Sequence, residues 1–313
     1  MMLSAIHVAA LACLRQVLSF CRNAAPARRR PGLRLPRACA LALAAFLMAR
    51  PAMAQEPRTY YFSPVNQYGI ELTARYWNPL IRYVSDRAGV RLQLKLGRTS
   101  ADTTAYVLAH EVDFVFTNHL FSPERDRLGW KTFGRRNSPP IHSQIVVLAD
   151  SPVRTLEQLA GQAVAFPGPE ALVAYKFSYA ELLHRAVPVQ VVFSGNMDGA
   201  FAQLSSGRAQ AVGANSQLTE GWTRREGRAL RVLWQSQPLH DLALMVSKHV
   251  PLADLRAVER AFLDMAKDPE GRKLLANAAE LVKLPPDTSF VASDGSEYGA
   301  YRSFYQNAPA SLR

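Results

Sequence analysis

Polar side chains that can exchange hydrogen bonds with a small molecule follow several predicted strands. Asn118 and His119 come directly after the apolar run 112–116. Loops at strand ends often carry binding groups, and a few converging polar groups are enough to hold a solute. A turn asparagine and a solvent-facing histidine explain the pair equally well. The candidate ligand-binding residues are Asn66, Tyr68, Thr117, Asn118, His119, Glu170, Ser194, Asn196 and Asn215.

Helix capping is the competing explanation for several of these candidates. Asn196 and Asn215 each precede a predicted helix, where an asparagine side chain can accept a hydrogen bond from a free backbone N–H. Glu170 stands just before a predicted helix at 172–184, where a carboxylate is favourable. Asn66 and Tyr68 lie in the loop after the first predicted strand, and a plain turn would also account for them.

The sequence carries no pattern typical of a catalytic or metal site. None of the six histidines after residue 54 has a metal-ligand spacing such as H-E-x-x-H. No nucleophile elbow and no phosphate-binding Walker loop are present. Glu170 and Asp198 could act as a carboxylate pair only if the fold brought them close together. We therefore expect no catalytic residue, no metal ligand and no cofactor.

The first 54 residues predict a signal peptide. They contain eight arginines and no acidic residue. A basic stretch at 28–37 precedes a short apolar run at 38–49, and Ala52-Met53-Ala54 then provides a cleavage site of small residues. Such a run is too short to span a bilayer as a stable helix. We predict cleavage between Ala54 and Gln55 and export to the periplasm.

Removal of this segment changes the charge of the chain. The full sequence has 37 Lys and Arg against 25 Asp and Glu, for a net charge of +12, whereas the part after residue 54 has 29 against 25. The positive excess therefore belongs largely to the signal peptide, and a nucleic-acid partner is not predicted. The three cysteines, Cys13, Cys21 and Cys39, all precede the cleavage site, so we expect no disulfide or thiolate site in the mature protein.

Strands and helices alternate through the rest of the chain. The segment 141–166 shows the pattern most clearly, because two apolar runs flank a turn at Asp150-Ser151-Pro152 and a short helix stopped by Gly161. The other predicted strands are 58–63, 91–96, 112–116, 131–133, 189–193, 211–214, 230–234 and 242–247. The predicted helices are 71–88, with a kink or a restart at Pro79, 103–110, 172–184, 197–205, 217–226 and 252–268, with a short one after Gly271 and a loop-rich tail from Pro285. This alternation is typical of helices packed on parallel sheets.

Several short motifs then occur in order between residues 60 and 285. They are Trp77-Asn78-Pro79-Leu80 with Gly89-Val90, the run 112–116, the segment 141–166, Val191–Gly195 followed by Asp198 and Ala200, and Asp268-Pro269-Glu270-Gly271 followed by Leu274-Leu275. In this order and spacing the chain resembles the phosphonate/phosphite-type periplasmic solute-binding proteins that serve ABC transporters.

The resemblance implies a two-lobed α/β fold of the type II periplasmic-binding-protein kind. Each lobe would be a mostly parallel sheet flanked by helices, with two hinge crossings between the lobes. Residues 55–147 and 238–313 would form lobe one, and residues 148–237 would form lobe two. The ligand would lie in the cleft, beyond the carboxyl ends of strands, and the lobes would close on it by a hinge motion. The implied partners are a small-molecule solute and an ABC permease in the inner membrane, and we expect a monomer.

The resemblance departs from the family at the loop that binds the phospho group. There the family carries Ser-Thr-Ser at a helix start, whose hydroxyl and N–H groups hold the anion. In this sequence those positions fall on residues 171–173, which are Ala, Leu and Val, with Glu170 beside them. The family's site His and Tyr correspond here to Asn196 or Met197 and to Thr117.

Three function classes are compatible with these observations. The first, which we favour, is a solute-binding protein of an ABC importer whose ligand is not phosphonate, phosphite or phosphate but a less charged organic solute. The second is a ligand-binding partner of a membrane sensor kinase. The third is a periplasmic enzyme built on the same fold.

Overall fold

The computed structural model describes residues 56–313, so the predicted signal peptide and its cleavage site lie outside the described residues. The segment Glu56–Arg313 forms one compact unit. No helix within it has the length and apolar character needed to cross a membrane.

Strands and helices alternate along the described chain, as predicted. The strands are β1 (Thr59–Pro64), β2 (Arg91–Leu94), β3 (Phe114–Thr117), β4 (Lys131–Asn137), β5 (Ser143–Leu148), β6 (Ala163–Phe166), β7 (Gln190–Phe193), β8 (Ala211–Asn215), β9 (Leu230–Gln235), β10 (Ala243–Val246) and β11 (Ser289–Ala292). The α-helices are α1 (Ile70–Ala88), α2 (Asp102–Leu108), α3 (Pro123–Asp126), α4 (Ser178–His184), α5 (Met197–Ser205), α6 (Ser216–Glu226), α7 (Leu252–Leu263), α8 (Pro269–Val282) and α9 (Gly299–Asn307).

The strands form two mixed sheets, one in each lobe. Lobe one holds a six-stranded sheet with the order β11-β4-β10-β3-β1-β2, and lobe two holds a five-stranded sheet with the order β7-β6-β8-β5-β9. In lobe one, β1 runs parallel to β2 and β3, whereas β10 is antiparallel to β3 and β4. In lobe two, β6 runs parallel to β7 and β8, whereas β5 is antiparallel to β8 and β9. The two-lobed α/β fold is confirmed. Its sheets are mixed rather than mostly parallel, because β5, β10 and β11 run antiparallel to the strands beside them.

The chain crosses between the sheets twice, at 138–142 and at 236–242. The two crossings lie side by side, since Ile141 N donates to Leu239 O at 2.8 Å and Leu239 N donates to Ile141 O at 2.7 Å. The predicted boundary between residues 147 and 148 is too late, because Ser143–Leu148 pairs entirely within the lobe-two sheet. The second predicted boundary, after residue 237, falls inside the second crossing.

Helix α1 packs on the sheet of lobe one through aromatic side chains. Its buried residues include Trp77, whose ring centroid lies 4.9 Å from that of Phe62 on β1 and 5.1 Å from that of Phe116 on β3. The helix ends at Gly89, which adopts a left-handed conformation with φ of 67° and donates to Ser85 O. The helix does not restart at Pro79, one of the two predicted effects of this proline: α1 continues through it. Packing of the apolar face offsets the hydrogen bond that a proline cannot donate.

Three other helical segments differ from the prediction. The helix predicted at 172–184 begins as a π-helix, Leu172–Phe177, and continues as α4. The helix predicted at 252–268 ends at Leu263, and α8 starts afresh with Asp268 as its N-cap, accepting from Glu270 N at 3.1 Å. The tail is more ordered than expected, because β11 pairs with β4 and α9 packs its buried Tyr301 and Tyr305 on lobe one.

Candidate functional site

A small cavity lies between the two lobes, and we call it the cleft cavity. Its volume is about 40 Å³, which is room for about three water molecules. Lobe one and the second crossing contribute Val65, Asn66, Gln67, Ser100, Asn118, His119 and Leu242, and lobe two contributes Pro167, Ala171, Leu172, Val173, Ala174, Met197, Asn215 and Leu218. Apart from Leu242, these residues lie at or after the carboxyl ends of β1, β2, β3, β6, β7 and β8, which is where ligands bind in α/β folds.

Asn66 presents a fixed amide group to the cleft cavity. It is 2% exposed, and its Nδ2 donates to Gly97 O. A carbonyl oxygen cannot donate, so this contact fixes which end of the amide is the nitrogen. Its Oδ1 is buried and has no hydrogen-bond partner in the described chain. A buried unpaired acceptor is costly, and a ligand donor is one way to satisfy it.

His119 is held neutral at the wall of the same cavity. It is 1% exposed, and its Nδ1 lies 3.0 Å from Thr104 Oγ1. Burial lowers the pKa of His119 to about 4, because the charged imidazolium would lose its hydration. Its backbone N–H donates to Thr117 Oγ1 at 3.0 Å, which fixes the turn after β3. The histidine therefore offers a neutral ring to a ligand rather than a positive charge.

The start of the π-helix forms the opposite wall. Leu172, Val173 and Ala174 line the cavity, and their backbone N–H groups have no intrahelical acceptor, as at any helix start. Tyr175 N and Lys176 N both donate to Ala171 O, at 2.8 and 3.1 Å, so the first turn is already wider than an α-helical one. π-helical turns frequently occur at functional sites. The wall therefore combines apolar side chains with free backbone donors.

Four of the nine predicted site residues line the cavity: Asn66, Asn118, His119 and Asn215. Asn215 also caps α6, because its Oδ1 accepts from Leu218 N at 3.0 Å. The capping explanation is therefore confirmed for this residue, and its place at the cavity leaves ligand binding as a prediction.

The other five predicted residues do not line the cavity. Thr117 accepts from His119 N behind it, and Asn196 caps α5 by accepting from Gly199 N at 2.9 Å. Ser194 has a buried hydroxyl without a partner away from the cavity. Tyr68 packs under the guanidinium of Arg225, 5.6 Å from its ring centroid.

Glu170 has a different environment from the one expected. Its Oε2 lies 2.5 Å from Arg125 Nη1 in an ion pair that joins the two lobes. Burial alone would raise the pKa of Glu170, but the hydrogen bond and charge of Arg125 outweigh it and hold that pKa below its usual range. The carboxylate therefore pairs with a protein cation instead of lining the cavity.

Sequence reasoning missed Ser100 as a lining residue. It is 1% exposed, and its Oγ has no partner in the described residues. A Cβ added at Gly168 would lie 2.8 Å from this hydroxyl, so the glycine allows the two lobes to approach here. Ser100 lies between β2 and α2, and its position after a strand end was the available signal.

Backbone and side-chain hydrogen bonds join the lobes around the cavity. Ser100 N donates to Gly195 O at 2.8 Å, and Gly69 N donates to Asp198 Oδ2 at 2.9 Å. Arg136 Nη1 donates to Gln217 Oε1 at 3.1 Å from a fully buried position on β4. These contacts describe a cleft that is closed. Asp198 is paired with Arg225 at 2.6 Å and so has its own partner, distinct from that of Glu170.

Comparisons with known proteins agree with this geometry. The family model described as ABC transporter, phosphonate, periplasmic substrate-binding protein matches residues 62–298. Among curated protein sequences there is no significant match.

Solved structures show the same fold at low sequence identity. A binding-protein component of an ABC phosphonate transporter from Pseudomonas aeruginosa superimposes with a TM-score of 0.67 at 15% identity, covering 78% of this chain and 84% of that one. A protein from Prochlorococcus marinus in complex with methylphosphonate gives 0.63 at 14% identity, covering 78% and 96%. A Xanthomonas citri protein bound to chloride ion gives 0.61 at 16%, covering 79% and 97%.

Because the family model covers most of its length, the chain belongs to the periplasmic phosphonate-type substrate-binding proteins of ABC transporters. A small-molecule ligand, a membrane permease as partner and a periplasmic location follow from that membership. The family is one of transporter substrate-binding proteins.

Proposed function

We propose that this family member captures a small uncharged organic solute in the cleft cavity, and that it does not bind phosphonate, phosphite or phosphate tightly. The observation that carries the proposal is the lining: none of the lining residues in the described chain is Asp, Glu, Lys or Arg. A desolvated phospho group depends on several donors at once and on charge-assisted hydrogen bonds. The cleft cavity offers it no partner of opposite charge.

The side chains at the helix start support the same proposal. Residues 171–173 are apolar and at most 8% exposed, and they line the cavity where hydroxyl groups are expected in the family. The free N–H groups of the first turn are still able to hold an oxygen atom. They provide donors without charge, which suits a carbonyl or hydroxyl oxygen better than a dianion.

Two cations close to the cavity wall in sequence or structure are engaged elsewhere. Arg125 is paired with Glu170. The ammonium group of Lys176 lies 4.9 Å from the ring centroid of Tyr305, and Lys176 does not line the cavity. Neither side chain therefore supplies the cavity with the positive charge that a phospho group would require.

The protein is proposed to act as a monomer that closes on its solute. Both walls of the cavity come from one chain, so the site is complete without a second copy. The paired crossings at Ile141 and Leu239 are the proposed hinge. The predicted cleavage after Ala54 provides the route to the periplasm. No observation on the described residues favours a sensor-kinase partner or an enzyme.

Two measurements test the proposal: identification of the compound that co-purifies with the protein, and titration with phospho compounds. Mass spectrometry of protein purified from a periplasmic extract, with N-terminal sequencing of the same sample, should show an uncharged organic compound on a chain that starts at Gln55. Calorimetric titration with methylphosphonate, 2-aminoethylphosphonate, phosphite and phosphate should give no sub-micromolar dissociation constant. Tight binding of any of these four would overturn the proposed ligand class.

A further inference from the structure

The cleft cavity has polar groups of two complementary kinds on opposite walls. The first turn of the π-helix, residues 172–174, supplies backbone donors that have no acceptor among residues 56–313. Asn66, on the lobe-one side, supplies an acceptor that has no donor within the same described range, because its Nδ2 is held by Gly97 O and its Oδ1 is buried without a partner. A solute that satisfies both walls must carry an oxygen acceptor and a hydrogen-bond donor on one small framework.

We infer that the solute belongs to the primary amides and ureides, with its carbonyl oxygen at the N–H groups of residues 172–174 and its N–H at Asn66 Oδ1. This inference rests on the proposed function and names the ligand class within it. Both ends of an amide group are satisfied in this arrangement, so neither Asn66 nor the helix start is left unpaired on closure.

The size and charge of the cavity agree with this class. A cavity of about 40 Å³ holds about three waters, which corresponds to a solute of roughly four to six non-hydrogen atoms. Ser100 Oγ is also buried, has no partner in the described part of the chain, and can donate or accept a hydrogen bond in the same space. Val173, Met197 and Leu242 supply apolar surface for a short alkyl group.

Acetamide and acetate provide a matched pair of probes, because they have nearly the same shape. Acetamide carries a donor and an acceptor, whereas acetate carries two acceptors and a charge. Against Asn66 Oδ1, an acetate oxygen would meet a second acceptor, which leaves both groups unpaired. We expect calorimetry or thermal-shift titration of the purified mature protein to show at least tenfold tighter binding of acetamide and methylurea than of acetate and methylphosphonate.

Variants assign the preference to a residue. Asn66→Ala should reduce the preference for acetamide over acetate at least tenfold, and Ser100→Ala should weaken both probes about equally. Asn277→Ala, which changes an exposed asparagine on α8, should behave as the wild type. Should Asn66→Ala fold poorly, the comparison of the two probes on the wild-type protein still decides the question.

The outcomes separate this inference from the proposed function. Acetate binding as tightly as acetamide, or an unchanged preference in Asn66→Ala, would overturn the amide assignment. If neither amide binds but another uncharged compound co-purifies, the inference is wrong and the proposed function stands. If a phospho compound co-purifies and binds tightly, the proposed function itself is wrong.

Discussion

Arg125 Nη1 lies 2.5 Å from Glu170 Oε2, and this ion pair joins the two lobes beside the cleft cavity. Arg125 belongs to α3 in lobe one, and Glu170 lies in the loop after β6 in lobe two. The same Nη1 donates to His119 O at 2.8 Å. The pair therefore connects lobe closure to a residue of the cavity wall.

Loss of one partner of this pair should weaken ligand binding without preventing folding of either lobe. Both side chains are about one-fifth exposed, so the pair lies between a surface and a buried ion pair, and we expect Glu170→Gln to cost about 1–2 kcal/mol of closed-state stability. The dissociation constant of the co-purifying solute should then rise about 5- to 30-fold, measured by calorimetry.

Two further variants make this test specific. Asp126→Asn removes the partner of Arg302 in an ion pair within lobe one and should leave binding unchanged. In a double-mutant cycle, Arg125→Met and Glu170→Gln together should cost less than the sum of the two single effects, because both remove the ion pair, although Arg125→Met also removes the hydrogen bond to His119 O. Additive effects, or wild-type affinity in Glu170→Gln, would show that the ion pair does not contribute to closure.

Asn118 and His119 should both contribute to ligand affinity from lobe one. They line the cavity and are at most 4% exposed, and truncation of a buried hydrogen-bonding group costs about 1–3 kcal/mol. Asn118→Ala and His119→Ala should each raise the dissociation constant about 5- to 150-fold in calorimetry. His184→Ala, an exposed histidine on α4, serves as the control. Wild-type affinity in both cavity variants would remove the pair from the site.

Protein stability should fall as the pH drops through the range in which free histidine takes up a proton. The pKa of His119 is about 4 in the folded protein against an ordinary value of 6.5. Between these values the unfolded chain binds the proton and the folded chain does not, so acid favours unfolding. The stabilisation present above pH 6.5 should decrease by up to about 3 kcal/mol as the pH approaches 4.

Chemical denaturation at pH 7, 6, 5 and 4.5 measures this loss of stability. In His119→Gln the free energy of unfolding should depend less on pH over this range. The lowered pKa of Glu170 contributes stability that is lost only below about pH 4.5. The effects of Glu170 and His119 on stability therefore fall in different pH ranges. A profile between pH 6.5 and 5 that is identical in wild type and His119→Gln would contradict the assignment to His119.

The local features of this fold could be predicted from the sequence, whereas long-range pairings could not. The alternation of apolar runs and turns predicted most strands to within a few residues, and strand ends pointed to Asn66, Asn118 and His119. The antiparallel direction of β5 and β10 depends on where the crossings place them in the sheets. No local pattern carries that information, and the mixed sheets were missed for this reason.

The role of Glu170 was hidden for the same physical reason. Its partner Arg125 is 45 residues away and in the other lobe. In isolation, a glutamate before a predicted helix is explained by the helix dipole alone. Ser100 was missed because its unpaired, buried state results from the approach of Gly168 across the cleft.

Solute binding should make the protein more compact. The crossings at Ile141 and Leu239 are the only covalent links between the sheets in the described chain, and the other contacts between the lobes can separate as they rotate apart. Small-angle scattering should give a smaller radius of gyration with the co-purifying solute than without it. Without solute, the Glu170→Gln variant should have a larger radius of gyration than the wild-type protein. An unchanged profile at saturation would argue against closure.

Hydroxyl groups restored at the π-helix start should create affinity for a phospho group. Ala171 and Val173 line the cavity with apolar side chains at the start of the π-helix, where free backbone N–H groups favour an anion. The double variant Ala171→Ser, Val173→Ser leaves Leu172, which is 0% exposed and the largest of the three side chains, in place. Two added donors to an anion, at about 1.5 kcal/mol or more each, should improve methylphosphonate binding at least tenfold over the wild type.

Ala276→Ser, on an exposed face of α8, is the control and should produce no gain in methylphosphonate binding. Calorimetry with methylphosphonate and acetamide on the wild type and both variants compares the dissociation constants of the two ligands. If the double variant binds methylphosphonate no better than the wild type, the side chains at 171 and 173 do not determine why this cleft rejects phospho groups.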